Sequence, residues 1–281
     1  MPNELLMAKA NKTKTVTKAA KPTKAAAKKK AATSPPKKTT PAATELTAKR
    51  FIQKLYTYRS ATELKKYERF FKFSDDKPLK DDVFIGVRMG QVFELAKEFI
   101  NMEPAEIEKL MESEVHEVRA GGMSIMGKQA SHKKTSPERL KELYELYIGR
   151  HDRINSWDLV DLAAHYVVGR YLKDKPRDIL YKLARSKDTI ERRSAMVSTA
   201  HFIKHKDVSD AFRIAEILVH DKEDTVQRAT GWMLRYADGV DRPRMLAFLD
   251  KYAATMPRTT LRACIEHFTP KQRDHYLKLK Q

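Results

Sequence analysis

The segments "DTIERRSAM" (Asp188–Met196) and "DTVQRATGW" (Asp224–Trp232) align without a gap at an offset of 36 residues. A step of 36 back from Arg193 reaches Trp157, and a further 38 reaches Arg119 in "HEVRAGGM" (His116–Met123), which resembles "IERRSAM". A unit of that length holds two helices and their turns, the repeat of a HEAT-type helical solenoid. Equivalent helices of such an array line one concave surface, so Trp157, Arg193 and the Ala229–Trp232 turn are expected on neighbouring rungs of one wall. The competing reading is chance likeness among amphipathic helices.

The flanking sequence supports the solenoid. "ELTAKRFIQKLYTYRS", "MGQVFELAKEFINM", "PAEIEKLMESEVHEVRAGGMSIMG", "SPERLKELYELYIGR" and "SDAFRIAEILVH" repeat apolar residues at three- and four-residue spacing. "SPER" (Ser136–Arg139) and "EPAE" (Glu103–Glu106) place Pro at a first helical position. No segment alternates with the period of two that a strand requires. The expected fold is all-α, with a composition of 41% apolar and 33% charged residues and only 9 Gly to match.

A net charge of +19 points to a polyanionic partner. Residues 1–50 hold 13 Lys/Arg against Glu4 and Glu45, a net +11, which leaves +8 for the remainder. The body is therefore basic in its own right. Residues 1–46 are rich in Lys, Ala, Thr and Pro and nearly devoid of large apolar side chains. Such a segment cannot offset its ordering entropy by burial, so a disordered basic tail is expected there, preceding a helical domain over 47–281. The tail resembles that of a linker histone and suits nonspecific DNA attachment; the plainer alternative is a solubilising extension.

A single cysteine, Cys264, excludes an internal disulfide and suits a reducing compartment. No apolar run reaches the roughly 20 residues that span a bilayer, and the N-terminus lacks a signal-peptide core. The expectation is a soluble intracellular protein, nucleoid-associated in a bacterium or nuclear in a eukaryote.

"HDRINSWDLVDLAAHYVVGRYL" (151–172) reads as a buried helix with an unusual face. Asn155 or Ser156 is a candidate N-cap, and Asp158 sits in the first turn where the helix dipole favours an anion. Asp161 lies one turn beyond Trp157 on the same face and is followed by Leu162, Ala163 and Ala164. A carboxylate beside an apolar patch needs a partner or a function. Asp161 can pair with an arginine of the neighbouring rung or face a ligand; Trp157 can be a core anchor or a ligand contact.

"INSWDLVD", "ERRSAMVSTAHFIKH" and "HDKEDTVQRATGWMLR", in this order and spacing, resemble the AlkD-type DNA alkylation repair glycosylases over about residues 50–279. The resemblance implies a HEAT-like solenoid whose concave face holds duplex DNA. It also implies hydrolysis of the N-glycosidic bond of cationic N3- and N7-alkylpurines. Carried over residue by residue, Asp161 is implied as the catalytic carboxylate. Trp157 and Trp232 are implied as the aromatic pair against the lesion's sugar and backbone, and Arg193 as a DNA contact near the lesion. The base is not drawn into a pocket in such enzymes, unlike in most glycosylases. The implied partner is double-stranded DNA with alkylated bases, engaged by a monomer, with no cofactor and no metal.

The chemistry fits so small a residue set. An alkylpurinium already carries positive charge and departs without the general acid that glycosidases need. One ionised carboxylate can then stabilise an oxocarbenium-like sugar and orient water, while each indole face adds about 0.5–2 kcal/mol of cation–π attraction. Two alternatives belong to other classes: a non-catalytic binder of damaged or branched DNA on the same scaffold, and a protein–protein adaptor. The Trp157/Asp161 pair argues against the first and the basic body against the second.

Other signals carry less. "GGMSIMGKQ" (Gly121–Gln129) approaches a phosphate-binding loop but has Gln129 in place of Ser or Thr and no preceding strand, so its glycines are assigned to close helix packing. His201 and His205 have a zinc-like spacing without an intervening HExxH glutamate or a third ligand. The aromatics of Tyr67–Phe73 are assigned to core rather than to base stacking. Some of Arg170, Lys173, Lys175, Arg177, Lys182, Arg185 and Lys187 are expected to meet phosphates.

Overall fold

A computed structural model of the chain describes residues 46–71 and 82–279. The expected tail, but for Leu46, and the side chains of Arg69–Phe73 lie outside the described residues. Leu46, placed in the tail by composition, is buried with the core.

The described chain is all-α, with one isolated bridge, Val83 to Val115, in place of any sheet. In chain order the helices are α1 (Ala48–Tyr56), α2 (Ala61–Phe71), α3 (Met89–Glu98), α4 (Pro104–Met111), α5 (His116–Ser131) and α6 (Pro137–Gly149). They continue with α7 (Trp157–Ala164), α8 (Asp178–Ala184), α9 (Thr189–Ser198), α10 (Ala200–Lys204), α11 (Ser209–Leu218), α12 (Asp224–Asp238), α13 (Arg242–Tyr252), α14 (Arg258–Cys264) and α15 (Pro270–Leu279). The expected Pro starts hold. Ser136 caps α6 by accepting from the Arg139 N–H at 3.1 Å, and Pro104 opens α4. The single run from Pro104 to Gly127 is in fact two helices, α4 and α5, because the chain leaves helical geometry before Val115 and pairs with the Val83 segment.

Packing follows a solenoid. α3, α5, α7, α9, α12 and α14 form a first row in which each contacts the next, while α4, α6, α8, α11 and α13 back that row. The first-row helices α5, α7, α9, α12 and α14 start at residues 116, 157, 189, 224 and 258, so the steps are 41, 32, 35 and 34. The repeat is real, but its step is less regular than the 36–38 read from the sequence. One apolar core runs through the described chain. α5 is buried nearly all round, as expected of a helix enclosed on every side.

Neighbouring helices of the first row approach closely through glycine. A Cβ on Gly127 would stand 2.2 Å from the Leu162 carbonyl oxygen of α7, and one on Gly231 would stand 2.7 Å from the Thr260 oxygen of α14. The "GGMSIMGKQ" glycines thus serve helix packing. The helix that begins at Trp157 widens into a π-turn at His165–Gly169 before ending, a departure from the uniform helix expected there.

Gly127→Ala is expected to cost about 1–3 kcal/mol of stability, the range for overpacking. Gly90→Ala in α3, with nothing within 4 Å of the added methyl, should leave stability equal or slightly higher. Urea unfolding of both variants checks this; equal losses would remove the close-approach argument.

Candidate functional site

The regular α-helical part of α7 is eight residues long before the chain widens into the π-turn, and a helix so short draws most of its stability from packing. Its orientation is therefore set by its partners. The Ser156 N-cap is fully buried and extended (φ −144°, ψ 156°), and its hydroxyl donates to Asp158 Oδ1 rather than accepting from its own helix. Asp158 Oδ2 meets His116 Nε2 at 2.8 Å. Burial alone would raise the Asp158 carboxyl, but the His116 charge and hydrogen bond with those from Ser156 hold it below the usual carboxylate range. The sequence explained Asp158 by the helix dipole; the structure gives it a buried cation as well.

Asp161 and Arg193 form a bidentate ion pair. Arg193 Nη2 donates to both carboxylate oxygens at 2.8 Å, and Nε donates to Oδ1 at 3.1 Å. The remaining Nη1 donates to the Thr225 carbonyl and, at 3.2 Å, to its hydroxyl. All three guanidinium nitrogens are therefore engaged. The side chains are 3% and 8% exposed. Of the two roles that the sequence left open for Asp161, pairing with a neighbouring rung is thus present in the ligand-free protein.

The pairing also corrects the repeat register. Asp161 is the fifth residue of α7 and Arg193 the fifth of α9, so these two are structural equivalents rather than Trp157 and Arg193. The four-residue discrepancy arises because α7 begins at Trp157 itself. Arg119 likewise does not join that wall as an open rung. It is 4% exposed and donates to Asp82, to the Ser113 carbonyl at 2.7 Å and to Asn155 Oδ1 at 3.1 Å.

Trp157 is half-buried, with the Arg193 guanidinium 5.9 Å from its ring centre. Trp157, Asp161 and Arg193 therefore meet. Trp232 is half-buried two turns along α12 from Thr225, with its ring edge-on to Tyr236 at 5.7 Å. Behind the ion pair lies a chain missed in the sequence: the Tyr147 hydroxyl and His151 Nε2 each stand 2.8 Å from Ser194 Oγ. Burial pushes the Tyr147 phenol well above, and the His151 imidazole below, their ordinary values. Tyr147 and His151 share a one-turn spacing, but Ser194 lies 47 and 43 residues away, a separation that periodicity cannot bridge.

Among the described residues no group of His, Cys, Asp and Glu is arranged to hold a metal ion. The His201 and His205 rings lie 4.4 Å apart at a tilt of 31°, and His205 Nδ1 donates to the His201 carbonyl at 2.7 Å. Of the expected phosphate ligands, Arg177 is committed to Asp207 and Asp210, and Arg170 to the carbonyls of Ala130 and His132. No described helix is long and apolar enough to cross a membrane.

Removing one member of the buried pair should be costly and removing both less so. Arg193→Met is expected to lose about 3–5 kcal/mol, and adding Asp161→Leu should restore a measurable part of it. A double-mutant cycle by urea unfolding measures this coupling; additive effects would mean that the pair contributes nothing.

No curated protein matches the chain. Residues 51–268, well over half of the chain, match the family described as DNA alkylation repair enzyme. That span takes in α7, α9 and α12, and so the Trp157, Asp161, Arg193 and Trp232 positions. The protein belongs to the DNA alkylation repair enzyme family, and DNA is its substrate.

Proposed function

We propose that the protein is a DNA glycosylase for cationic N3- and N7-alkylpurines in duplex DNA, with Asp161 as its catalytic carboxylate. The observation that carries the reading is the meeting of Trp157, Asp161 and Arg193 on adjacent rungs of a solenoid in a family of alkylation repair enzymes. Trp157 and Trp232 pack against the sugar and backbone of the lesion. Asp161 stabilises positive charge developing on the deoxyribose and orients the attacking water. The alkylated base, already cationic, leaves without a proton donor. His165, one turn beyond Asp161, is pushed down to about 3 by burial and by the His201 and Lys204 charges, so it is a neutral imidazole at neutral pH rather than an acid.

Arg193 has a double part in this scheme. In the structure it neutralises and orients Asp161, with all three guanidinium nitrogens engaged. A carboxylate so paired stabilises a cationic sugar poorly, since its charge is already balanced. A backbone phosphate near the lesion competes for the guanidinium and leaves Asp161 free to face the sugar. The protein acts as a monomer without cofactor or metal, in the nucleoid of a bacterium or the nucleus of a eukaryote.

Asp161→Asn tests the assignment on duplex DNA carrying N7-methylguanine. Wild type should release free base, and the variant should lose release by at least about 100-fold, the scale for removing one electrostatic contact to the transition state, while DNA affinity changes little. No release by wild type leaves the non-catalytic binder, and an active variant removes the role of Asp161. Deleting residues 1–46 should reduce the salt dependence of nonspecific DNA affinity and leave single-turnover release unchanged. An unaltered salt slope would contradict DNA attachment by that segment.

A further inference from the structure

The start of α7 is tied to the rest of the molecule by a buried charge network that the proposed chemistry does not use. His116, the first residue of α5, is 1% exposed, and each of its ring nitrogens faces a carboxylate. Nδ1 is 2.9 Å from Asp82 Oδ2, on the segment before α3, and Nε2 is 2.8 Å from Asp158 Oδ2, on the first turn of α7. Two acceptors on one imidazole require a proton on each nitrogen, so the ring is an imidazolium. Asp82 is also paired with Arg119, and its other oxygen accepts from Asn155 Nδ2 at 2.8 Å. The charges of His116, Arg119, Asp82 and Asp158 then cancel. Phe84 stacks on the imidazole at 4.7 Å. Glu117, next on α5, accepts from the backbone N–H groups of Ile85, Gly86 and Val87, which pins the same segment. Tyr67 of α2 reaches this segment by donating to the Val87 carbonyl at 2.9 Å.

The carboxylate of Asp158 and the amide of Asn155 are thus held, and these two residues bracket Trp157. The N-cap side chain of α7 makes no hydrogen bond to its own helix, so this network, together with the Arg193 pair, fixes the direction in which Trp157 and Asp161 leave the chain. We infer that His116, as an imidazolium bridging Asp82 and Asp158, is a positioning residue that sets the orientation of Trp157 and Asp161 toward DNA. It acts through α7 and touches no reacting atom.

The bridge has a defined pH range. Burial draws the His116 pKa down, but Asp158 and Asp82 outweigh it and lift the value to about 9. A folded-state value above the ordinary 6.5 means that the bridge is complete at neutral pH and is lost as pH rises through about 9. Tyr67, driven up to about 12 chiefly by burial, does not titrate in that range. The inference rests on the glycosylase reading for its kinetic arm only.

The test uses the full chain and two readouts. In a Trp232→Phe background Trp157 is the one indole, and its emission reports the start of α7. It should show a transition near pH 9 that His116→Gln abolishes. In the Trp232-containing protein, His116→Gln should slow single-turnover release of N7-methylguanine at pH 7.5 by roughly 10- to 100-fold, the scale of a small misplacement. DNA affinity should change less than about twofold, and far-ultraviolet circular dichroism should keep its helical signal. The alkaline loss of release, corrected for spontaneous lesion decay, should be absent from the variant. Wild-type release by His116→Gln together with an unchanged Trp157 transition overturns the proposal. If His116→Gln does not fold, Asp158→Asn, which removes one carboxylate, should move the Trp157 transition toward lower pH; an unmoved transition overturns it equally. Absence of release by wild type would sink the glycosylase reading and leave the Trp157 titration to decide this one.

Discussion

A carboxylate buried on one helix of a stacked array must find its cation on a neighbour, and the Asp161–Arg193 pair meets that constraint. Both occupy the fifth place of consecutive first-row helices, so the bond fixes how α7 and α9 lie side by side. Burying two charges is costly, and their mutual attraction only about compensates. Such a pair contributes little net stability compared with an apolar one. What it provides is placement: an ionised carboxylate held at a defined point, flanked by an indole and anchored through the same guanidinium to Thr225 on α12. Three successive rungs meet at one arginine.

The second polar network works on the same helix from the opposite direction. Arg193 grips the middle of α7, while His116 and Asp82 grip the residues just before and after Trp157. A helical rod this short is marginal in isolation, so its orientation rests on these contacts. In both networks backbone carbonyls, hydroxyls and amides take up donors that the ion pairs leave over, though the buried Nε of Arg119 has no partner among the described residues. Buried polar groups are costly when partly paired and rigidifying when fully paired. The described chain follows the second course where the candidate chemistry lies.

Local signals in the sequence account for much of this. The apolar spacing of "SPERLKELYELYIGR" and the Ser136/Pro137 start define α6, and the likeness of Asp188–Met196 to Asp224–Trp232 marks two first-row helices. The one-turn separation of Trp157 and Asp161 puts them on one face, and the need of Asp161 for a partner on an adjacent rung follows from burial alone. What escaped has a common physical cause. The partners of His116 lie 34 and 42 residues away, and no periodicity connects an irregular segment at Asp82 with two helix starts. The repeat register failed for a related reason. Helix-start spacing varies with turn length, so alignment of similar residues placed Arg193 opposite Trp157 when the chain had set it opposite Asp161.

The π-turn at His165–Gly169 has a geometric consequence for everything downstream. An α-helix advances about 100° per residue, and a turn closed over five residues instead of four absorbs one extra residue without breaking the helix. The face presented after Gly169 is consequently rotated against the face presented by Trp157 and Asp161. Arg170 thereby turns toward the end of α5, where it meets the Ala130 and His132 carbonyls. A single continuous rod thus serves two neighbours with two phases. The last helical residues, Arg170 and Tyr171, are re-aimed in this way while the face that carries Trp157 and Asp161 keeps its bearing.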